Sequence, residues 1–599
     1  MTTLSKNEQT CVPASIAQSI DWEIGEGYSD LFFRSHGIEI LGGEIFLSDK
    51  AMIDFNTYFG SFYEDYWASH TSVKRIAIKL VFTGSLNVCL YREISAGRSE
   101  LVSEHSLISE NASEISIDIA APKTQAGRVY FQVSGAGEGG RLIQASYMAV
   151  DSPKPRDISI SLGICTFNRE VQLMDNLKRL FSCESALRSI RRLIIVNQGE
   201  PFSDAGERII AASPVEILLI EQENQGGTGG FTRTMNEAAR TDDVTHHILM
   251  DDDIFLDPEV FTRTAQFLAF AHENVVIGGA AFNLEKPTIC YEAGAQVQKN
   301  GILRLLAHNM DLAFANNLSV FDREKIAPDY NAWWFSVVPI KAIQSVQPPL
   351  SLFIRWDDIE YGLSLGENGF NTVCMPRIAV WHPPFNQMPE GWKTYYSIRN
   401  MLITSSIHPK KIKLPSRIRV FFWMAEALAK MDYQTAALIK IAIEDFTNGP
   451  DKLLSTSFQK IQARVAKTSK YSSVEVLHTD ETPNQPPDSS VFTVRYFRVW
   501  LRETIKAIAI AANLFRHRKK HSEKQDIQLL EMEYWNAFMI GRSPYLLTNP
   551  ERDFLWKFSP NPEISKQLIG ECWKAARHYG KWKKDVSTEW KKAGRSRVV

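Results

Sequence analysis

The stretch His246–Asp253, HHILMDDD, decides the fold of the central region. Its apolar residues form a short run of the kind found in buried strands, and the run stops at three carboxylates, Asp251, Asp252 and Asp253. Such a strand places its acidic end at the carboxyl edge of a parallel sheet, where open α/β sheets bind ligands. Adjacent carboxylates repel each other unless a cation lies between them, and hard divalent cations prefer oxygen ligands. The stretch therefore predicts a metal site at a sheet edge, with a solvated acidic turn as the alternative.

Length and composition set the class of protein. A chain of 599 residues holds about three to five domains at ~100–200 residues each. Its 44% hydrophobic and 23% charged residues are ordinary for a soluble protein, and a net charge of -2 gives no overall attraction to nucleic acid. The 7 cysteines form no CxxC pair, which indicates a reducing compartment. Since we find neither a signal core nor ~18 consecutive apolar residues, we expect a cytoplasmic protein without a spanning helix.

Three regions differ in their residue patterns. Residues 1–155 contain β-rich runs separated by glycine turns, which predicts a β-sandwich domain. Its aromatic stretch Tyr58–Trp67 is either core or a sugar-binding surface, and we favour the core interpretation. Residues 156–390 alternate strands and helices, which predicts an α/β nucleotide-binding core with a parallel sheet. Residues 391–599 have mainly helical spacing, with a polar, proline-rich linker near 480–490.

Polar loops follow the first three strands of the α/β region. These predicted strands are Ile158–Cys165, Arg192–Val196 and Val215–Glu221. Because parallel strands end at one edge, we expect their loops to lie beside Asp251. The third loop, Glu223–Gly230, has neither the lysine of a P-loop nor dinucleotide-fingerprint spacing. Gly226 and Gly227 either let the backbone approach a ligand ahead of a helix, or serve a tight turn with positive φ.

Further candidate residues come later in the α/β region. Trp333 and Trp334 are adjacent in a predicted strand, so they should point to opposite faces and one could be an exposed platform. Asp357 and Asp358 follow another apolar run. His382 closes the last predicted strand, where a ligand role and a structural role are equally supported.

Basic clusters interleaved with tryptophan occur near the C-terminus. They are Arg516–His521, Lys581–Lys584 and Trp590–Lys592. Such clusters suit an anionic membrane surface, to which the protein would bind peripherally. Solvated helix faces and a homo-oligomer interface would give the same pattern.

Six short motifs occur together in one order. They are CTFNRE at 165–170, NQGGTGGF at 224–231, MDDDI at 250–254, WWFS at 333–336, RWDDIEY at 355–361 and WHPP at 381–384. Together they resemble bacterial galactofuranosyltransferases of the mycobacterial arabinogalactan polymerase type, which are inverting family 2 enzymes. The resemblance implies a GT-A core, a UDP-galactofuranose donor, a glycan or lipid-linked glycan acceptor, and Mn²⁺ or Mg²⁺. It also implies a role in cell-surface polysaccharide synthesis. From the missing export signal, the missing spanning segment and the basic clusters, we expect this work to take place at the cytoplasmic face of the membrane.

The resemblance assigns residues to three groups. The implied metal ligands are Asp251, Asp253 and His382. The residues implied to border the UDP-sugar are Thr166, Arg169, Asn197, Gly226, Gly227 and Asp252. The implied general base is Asp358, with Asp357 beside it, and the acceptor site is lined by Trp333, Trp334 and Glu292. The chain departs from the family at Asn197, where an acidic residue is expected, and at Arg355, where a lysine is expected.

The chemistry of sugar transfer agrees with two separate acidic clusters. A bound divalent cation neutralises charge that develops on a diphosphate leaving group. A second carboxylate accepts the proton of the acceptor hydroxyl, and direct displacement inverts the anomeric centre without a protein nucleophile. A hydrolase with a carboxylate pair is the competing arrangement, but it needs no metal triplet. The sequence is also compatible with a different UDP-sugar as donor and with a catalytically inactive glycan-binding protein.

Overall fold

The computed structural model describes most of the chain in two compact units. The described residues are 14–22, 28–124, 126–322, 327–384, 391–472, 474–477, 528–531, 545–548 and 555–595. The first unit comprises Met1–Gln296, Leu303–Pro348 and Tyr361–Pro383; the second comprises Val297–Ile302, Pro349–Glu360 and Pro384–Val599. The polar linker predicted near 480–490 and the basic cluster Arg516–His521 lie outside the described residues.

The first unit begins with antiparallel β structure. Its strands are β1 (Ser15–Ser19), β2 (Arg34–Leu41), β3 (Glu44–Asp54), β4 (Phe62–Tyr63), β5 (Arg75–Ser95), β6 (Arg98–Ala120) and β7 (Arg128–Val150), and helix α1 (Glu64–His70) follows β4. The order is β2-β3-β7-β5-β6, and β1 and β4 also pair with β7. The region predicted as a β-sandwich is therefore antiparallel, and its strands are hydrogen-bonded into one continuous sheet.

The aromatic stretch Tyr58–Trp67 belongs to the core. Its six aromatic side chains are all buried. Tyr58 packs edge-on against Phe282, with ring centroids 5.2 Å apart, and Phe59 stacks on Trp381 at 6.3 Å. Since Phe282 and Trp381 belong to the α/β region, these rings join the two parts of the first unit. The core interpretation is confirmed, and a sugar-binding surface made by these rings is wrong because water does not reach them.

Two buried arginines reinforce the same junction. Arg377 donates from Nε to the Phe59 carbonyl and from Nη2 to the Ser19 carbonyl, each at 2.5 Å. Burial lowers the pKa of Arg377 to about 9. Arg263 forms an ion pair with Asp21 at 3.1 Å. Buried charges cost free energy unless they are paired and hydrogen-bonded, so these contacts fix the β domain against the α/β region.

The α/β region contains strands β8 (Ile160–Thr166), β9 (Ile190–Asn197), β10 (Glu216–Glu221), β11 (His246–Asp251), β12 (Val275–Asn283), β13 (Ile289–Glu292), β14 (Ala295–Val297), β15 (Leu303–Leu305), β16 (Met310–Asp311), β17 (Phe335–Pro339) and β18 (Asn371–His382). Its helices are α2 (Glu170–Phe181), α3 (Glu184–Leu187), α4 (Asp204–Ala211), α5 (Gly226–Ala239), α6 (Glu259–Phe270) and α7 (Ile340–Ser345). Strands β14 and β15 form a separate two-stranded sheet, and the main sheet has the order β10-β9-β8-β11-β17-β12-β13-β16, with β18 beside β12.

The main sheet is partly parallel. Strands β8 to β11 are parallel, as predicted, whereas β17 runs antiparallel between β11 and β12. The predicted parallel edge is therefore confirmed for the first four strands, and the sheet as a whole is mixed.

Strand β11 is fixed by a buried histidine. His247 bonds to Ser161 through Nδ1 at 2.7 Å and to Thr234 through Nε2 at 2.9 Å. Burial lowers the pKa of His247 to about 3, so the imidazole is neutral at physiological pH. A Cβ at Gly163 would lie 2.5 Å from His247 Nε2, which explains the glycine there. These hydrogen bonds connect β11 to β8 and α5, and they fix the position of the strand end at Asp251.

The second unit is mainly helical. Its helices are the first turn of α8 (Asp357–Glu367), α9 (Lys393–Ile407), α10 (Arg417–Ala429), α11 (Tyr433–Thr447), α12 (Pro450–Leu454), α13 (Phe458–Ala466) and α14 (Pro562–Arg595). Four short strands, which the sequence did not predict, form a sheet ordered β19-β22-β21-β20; they are β19 (Val474–Leu477), β20 (Gln528–Glu531), β21 (Tyr545–Thr548) and β22 (Leu555–Phe558). Among the described residues, no helix is long and apolar enough to cross a bilayer.

Candidate functional site

Three strand ends meet at one edge of the main sheet. Asp251, the last residue of β11, lies opposite Cys165 of β8, and Thr166 lies opposite Asn197 of β9. The parallel register therefore brings Thr166, Asn197 and the acidic triplet to the same edge, as the sequence predicted.

Asp251, Asp253 and His382 form a compact cluster at this edge. One possible ligand atom from each residue lies within 4.8 Å of the others. The His382 Nε2 atom is 3.4 Å from Asp253 Oδ1, while its Nδ1 donates to the Pro383 carbonyl at 2.6 Å. That backbone bond fixes the ring with Nε2 on the side of the two carboxylates. Two carboxylates and one imidazole suit a divalent ion such as Mn²⁺, so the donor set fits a metal.

The pKa values of the two carboxylates in this cluster are shifted in opposite directions. Burial and the neighbouring Asp253 charge raise the pKa of Asp251 well above its usual range. Burial also acts to raise the pKa of Asp253, but His382 and Arg169 outweigh it and lower that pKa. The Arg169 guanidinium contacts the Asp253 carboxylate directly. Asp253 therefore keeps its negative charge beside Arg169 and His382.

Asp252 occupies a different environment from its two neighbours. It is buried, and burial raises its pKa to about 6. The backbone of the triplet is held by Asn176 of α2, whose Nδ2 donates to the Asp252 carbonyl at 3.3 Å and to the Ile254 carbonyl at 2.7 Å. Asn176 was not predicted from the sequence. The sequence feature that could have identified Asn176 is an amide at a core position of α2, between the buried Leu173 and Leu180.

A cleft opens beside the end of β9. It is lined by Asn168, Arg169, Glu170, Val171, Gln172, Asn197, Glu200, Pro201 and Phe202. Within it, the Asn197 Nδ2 atom donates to the Glu200 carbonyl at 2.8 Å, and Oδ1 accepts from the Gly199 N–H at 3.0 Å. Asn197 thus shapes its own loop, and its proposed contact with the nucleoside stays a prediction.

The glycine loop has structural reasons for its composition. Helix α5 begins at Gly226, inside the stretch Glu223–Gly230 that the sequence predicted as a loop. Gly226 has a φ of 70°, and its N–H donates to Asn224 Oδ1 at 2.9 Å. A Cβ at Gly230 would lie 2.1 Å from Cys165 Sγ. The tight-turn interpretation accounts for Gly226, and the role of Gly226 and Gly227 toward a nucleotide stays a prediction.

The two tryptophans lie just before β17 and are both buried. Trp333 is 7% exposed and packs edge-on against Phe231, while Trp334 is 5% exposed and donates from Nε1 to the Gly279 carbonyl at 2.8 Å. They enter different core clusters, as expected for opposite faces. The predicted strand position is wrong, because both residues lie in a turn before β17. The expected exposed platform is also wrong, because each ring packs into a core cluster. Glu292, at the end of β13, is also buried.

Asp357 and Asp358 open helix α8 in the second unit. Asp358 Oδ1 accepts the Ile359 N–H at 2.8 Å. Burial and the charge of Asp357 raise the pKa of Asp358 to about 7. A carboxylate with a pKa near neutrality is suited to general-base catalysis at physiological pH.

Two family models match consecutive parts of the chain. Residues 155–400 match the family described as glycosyltransferase like family 2, and residues 43–150 match the one described as galactofuranosyltransferase 2 N-terminal. Residues 155–400 are therefore similar to the glycosyltransferases of this family.

Curated relatives narrow the class further. The chain is 28% identical over 436 residues to galactofuranosyltransferase GlfT2 of Mycolicibacterium smegmatis, covering 68% of this chain and 66% of the relative. It is 29% identical over 426 residues to GlfT2 of Mycobacterium tuberculosis, covering 68% and 67%. The matches thus span about two thirds of these relatives. The predicted resemblance is confirmed: the chain is related to the galactofuranosyltransferases.

A solved structure with a similar arrangement is the mannosyltransferase PcManGT from Pyrobaculum calidifontis in complex with GDP-Man and Mn²⁺. It is 11% identical, covers 53% of this chain and 81% of its own, and has a TM-score of 0.30. So low a similarity supports no inference about the ligands of this chain.

Proposed function

We propose that this chain transfers a galactofuranosyl residue from UDP-galactofuranose to a glycan or lipid-linked glycan, with inversion and with a divalent metal, in cell-surface polysaccharide synthesis. The cluster of Asp251, Asp253 and His382 at the sheet edge carries the proposal. The relationship to galactofuranosyltransferases supports the choice of donor.

In the proposed reaction, the residues at the sheet edge bind the donor and stabilise the leaving group. Asp251, Asp253 and His382 would hold Mn²⁺ or Mg²⁺, which supplies positive charge for the diphosphate leaving group. Arg169 contacts Asp253 in this structure and adds a second cationic group beside the proposed diphosphate position. Nucleotide contacts from Thr166, Asn197, Gly226, Gly227 and Asp252 complete this half of the proposal.

The second half of the proposed reaction belongs to Asp358. Its carboxylate accepts the proton of the acceptor hydroxyl while that oxygen attacks the anomeric carbon and UDP departs. A single displacement inverts the anomeric centre. Asp357, Trp333, Trp334 and Glu292 stay the residues that the resemblance implies for the acceptor site, and all four are buried in this structure.

Donor consumption tests the proposal. Purified protein is incubated with UDP-galactofuranose and membrane-extracted glycolipids, and UDP release is measured with and without EDTA. We expect chelation to abolish release and Mn²⁺ to restore it, with UDP-glucose as the matched control donor. UDP release that survives full chelation would contradict the metal role. Faster UDP release from UDP-glucose would mean that UDP-galactofuranose is not the preferred donor.

We further propose that helix α14 contacts an anionic membrane surface at the inner face of the cell membrane. Trp573 and Trp582 are 48% and 39% exposed, and Lys581 Nζ lies 4.6 Å from the Trp582 ring. Each basic residue near such a surface contributes ~1 kcal/mol. Trp590, which we expected to take part, is fully buried and donates from Nε1 to the Phe446 carbonyl at 3.0 Å.

Vesicle flotation tests the membrane proposal. We expect the full-length protein to float with phosphatidylglycerol vesicles at low salt, and Trp573→Ser with Trp582→Ser to reduce the floated fraction. Trp392→Ser is the matched control, since Trp392 is 38% exposed and lies on α9's N-terminal side. Equal flotation of both variants would contradict the proposal, and a change in sedimentation alone would indicate a homo-oligomer interface.

A further inference from the structure

The loop before helix α8 has an unusual backbone. Phe353, Arg355 and Trp356 have φ values of 77°, 64° and 68°. A side chain with a Cβ is disfavoured in this left-handed region, most of all a bulky one. Such conformations persist only where surrounding contacts enforce them, and they concentrate at functional sites. The loop ends directly at helix α8, because the Glu360 N–H donates to the Trp356 carbonyl at 3.0 Å.

One buried amide holds the loop. Asn400 of α9 is fully buried, and its Nδ2 lies 2.8 Å from the Ile354 carbonyl, 2.8 Å from the Arg355 carbonyl and 3.2 Å from the Leu352 carbonyl. Its Oδ1 accepts from Arg399 Nε at 2.8 Å. An amide nitrogen has two N–H groups. Both are therefore engaged by the loop, in which three carbonyls share them.

Arg399 supports the amide from a second side. Its Nη2 donates to the Leu352 carbonyl at 2.7 Å and its Nη1 to the Tyr395 hydroxyl at 3.2 Å. The guanidinium carbon lies 5.0 Å and 4.9 Å from the ring centroids of Tyr395 and Tyr396. The Tyr395 hydroxyl donates to Asp445 of α11 at 2.5 Å. A continuous set of buried polar contacts thus connects α11 through α9 to the loop.

We propose that Arg399 and Asn400 are positioning residues, which hold the loop 352–356 in its strained form so that α8 begins with Asp357 and Asp358 in the orientation that proton transfer requires. The inference rests on the proposed function of Asp358. Helix packing alone would not place an amide and a guanidinium at these buried positions, since apolar side chains fill such positions without polar groups to satisfy. The polar groups of this pair serve carbonyls of the loop.

Asn400→Asp is the sharpest test, because it keeps the shape and replaces both N–H donors by an acceptor oxygen. We expect kcat to fall about 100-fold, since small misplacements of a reacting group cost roughly that much. UDP affinity with Mn²⁺, measured by calorimetry, should stay within about twofold. The acidic limb of the kcat–pH profile should move to lower pH, because a loosened loop admits water to Asp358.

Ser406→Ala is the matched control. Ser406 is buried on the same helix, and its hydroxyl donates to the Leu402 carbonyl at 3.0 Å, so its loss leaves the loop untouched. We expect this variant to keep kcat and the pH profile. Arg399→Lys is the second variant: it keeps the charge but loses the planar fork. It carries the test if Asn400→Asp does not fold.

Two results separate this inference from the proposed function. An Asp358→Asn variant with full kcat would defeat the base role itself. An inactive Asp358→Asn variant, together with Asn400→Asp and Arg399→Lys variants of unchanged kcat and unchanged pH profile, would overturn only the positioning role. A kcat loss matched by an equal loss of UDP affinity would also overturn it, because the pair would then be a general structural support.

Discussion

The two carboxylate clusters of this chain differ in what surrounds them. Asp253 lies against Arg169 and His382, which lower its pKa despite burial. Asp358 is half-buried beside Asp357, and desolvation together with the Asp357 charge raises its pKa to about 7. The same functional group is therefore prepared for different partners: the first cluster favours an anion that binds cations, and the second favours a carboxylate that exchanges protons near neutral pH. Substitutions in each cluster test this division.

The largest effect is expected for Asp358→Asn. Removal of a general base costs roughly 10²–10⁴-fold in rate. We expect kcat for UDP release to fall within that range, while Mn²⁺ and UDP affinity remain unchanged because this residue is not part of the metal cluster. Near-normal turnover would transfer the base role to Asp357 or Glu360.

His382→Ala should act on the other cluster. Loss of the imidazole removes one of three metal donors, so the Mn²⁺ concentration for half-maximal activity should rise at least about tenfold. The measurement is a Mn²⁺ titration of UDP release, with direct metal binding as a check. Asp358→Asn serves as the contrast, since its residual activity should keep the wild-type Mn²⁺ dependence. If both variants needed more Mn²⁺ than wild type, the two carboxylate clusters would not have separate roles.

The pH profile should respond to the partner of the base. A base must be deprotonated to act, so kcat should rise with pH through about 7 in the wild-type protein. Asp357→Asn removes the like charge but not the burial, which is the larger cause of the raised pKa. We therefore expect the acidic limb of the kcat–pH profile to move to lower pH, but by less than the full pKa shift of Asp358. A limb that does not move would mean that Asp357 exerts no electrostatic effect on the base.

The smallest expected effect concerns stability. The pKa of Asp358 is raised from 3.8 to about 7 on folding, so between these values the unfolded chain has already lost a proton that the folded chain retains. The stability contribution of this group is thus complete below pH ~4 and is lost as pH rises to ~7. Asp358→Asn removes this dependence. Its Tm relative to wild type should therefore rise across this window, as differential scanning fluorimetry at several pH values can measure. A constant difference would contradict the burial of an ionisable group here.

The sequence predicted the sheet edge well, because the signal is local. Strand β11 is an apolar run that stops at Asp251, and the parallel strands before it end in polar loops of the same kind. His382 was identified mainly through the resemblance, since a strand end so far along the chain from Asp251 has no local tie to it. The burial of both Trp333 and Trp334 could not be predicted, because they lie in a turn before β17 and not in the alternating strand that the pattern indicated.

The strained loop could not be predicted from the sequence. Phe353 and Trp356 are bulky residues that disfavour positive φ, so their own preferences indicate a different conformation. The amide that enforces the loop lies 45 to 48 positions later, at Asn400. A helical pattern over α9 gives no reason to connect that residue with the loop.

The junction between the β domain and the α/β region has a practical consequence for dissecting this protein. Phe59 stacks on Trp381, the residue before His382, and the backbone carbonyls of Phe59 and Ser19 accept both Arg377 hydrogen bonds. A fragment that begins after Val150 would lose these carbonyls and expose the indole next to a proposed metal ligand. The smallest fragment that retains an intact sheet edge should therefore include the N-terminal domain, although the boundary between the two matched families would suggest a cut there.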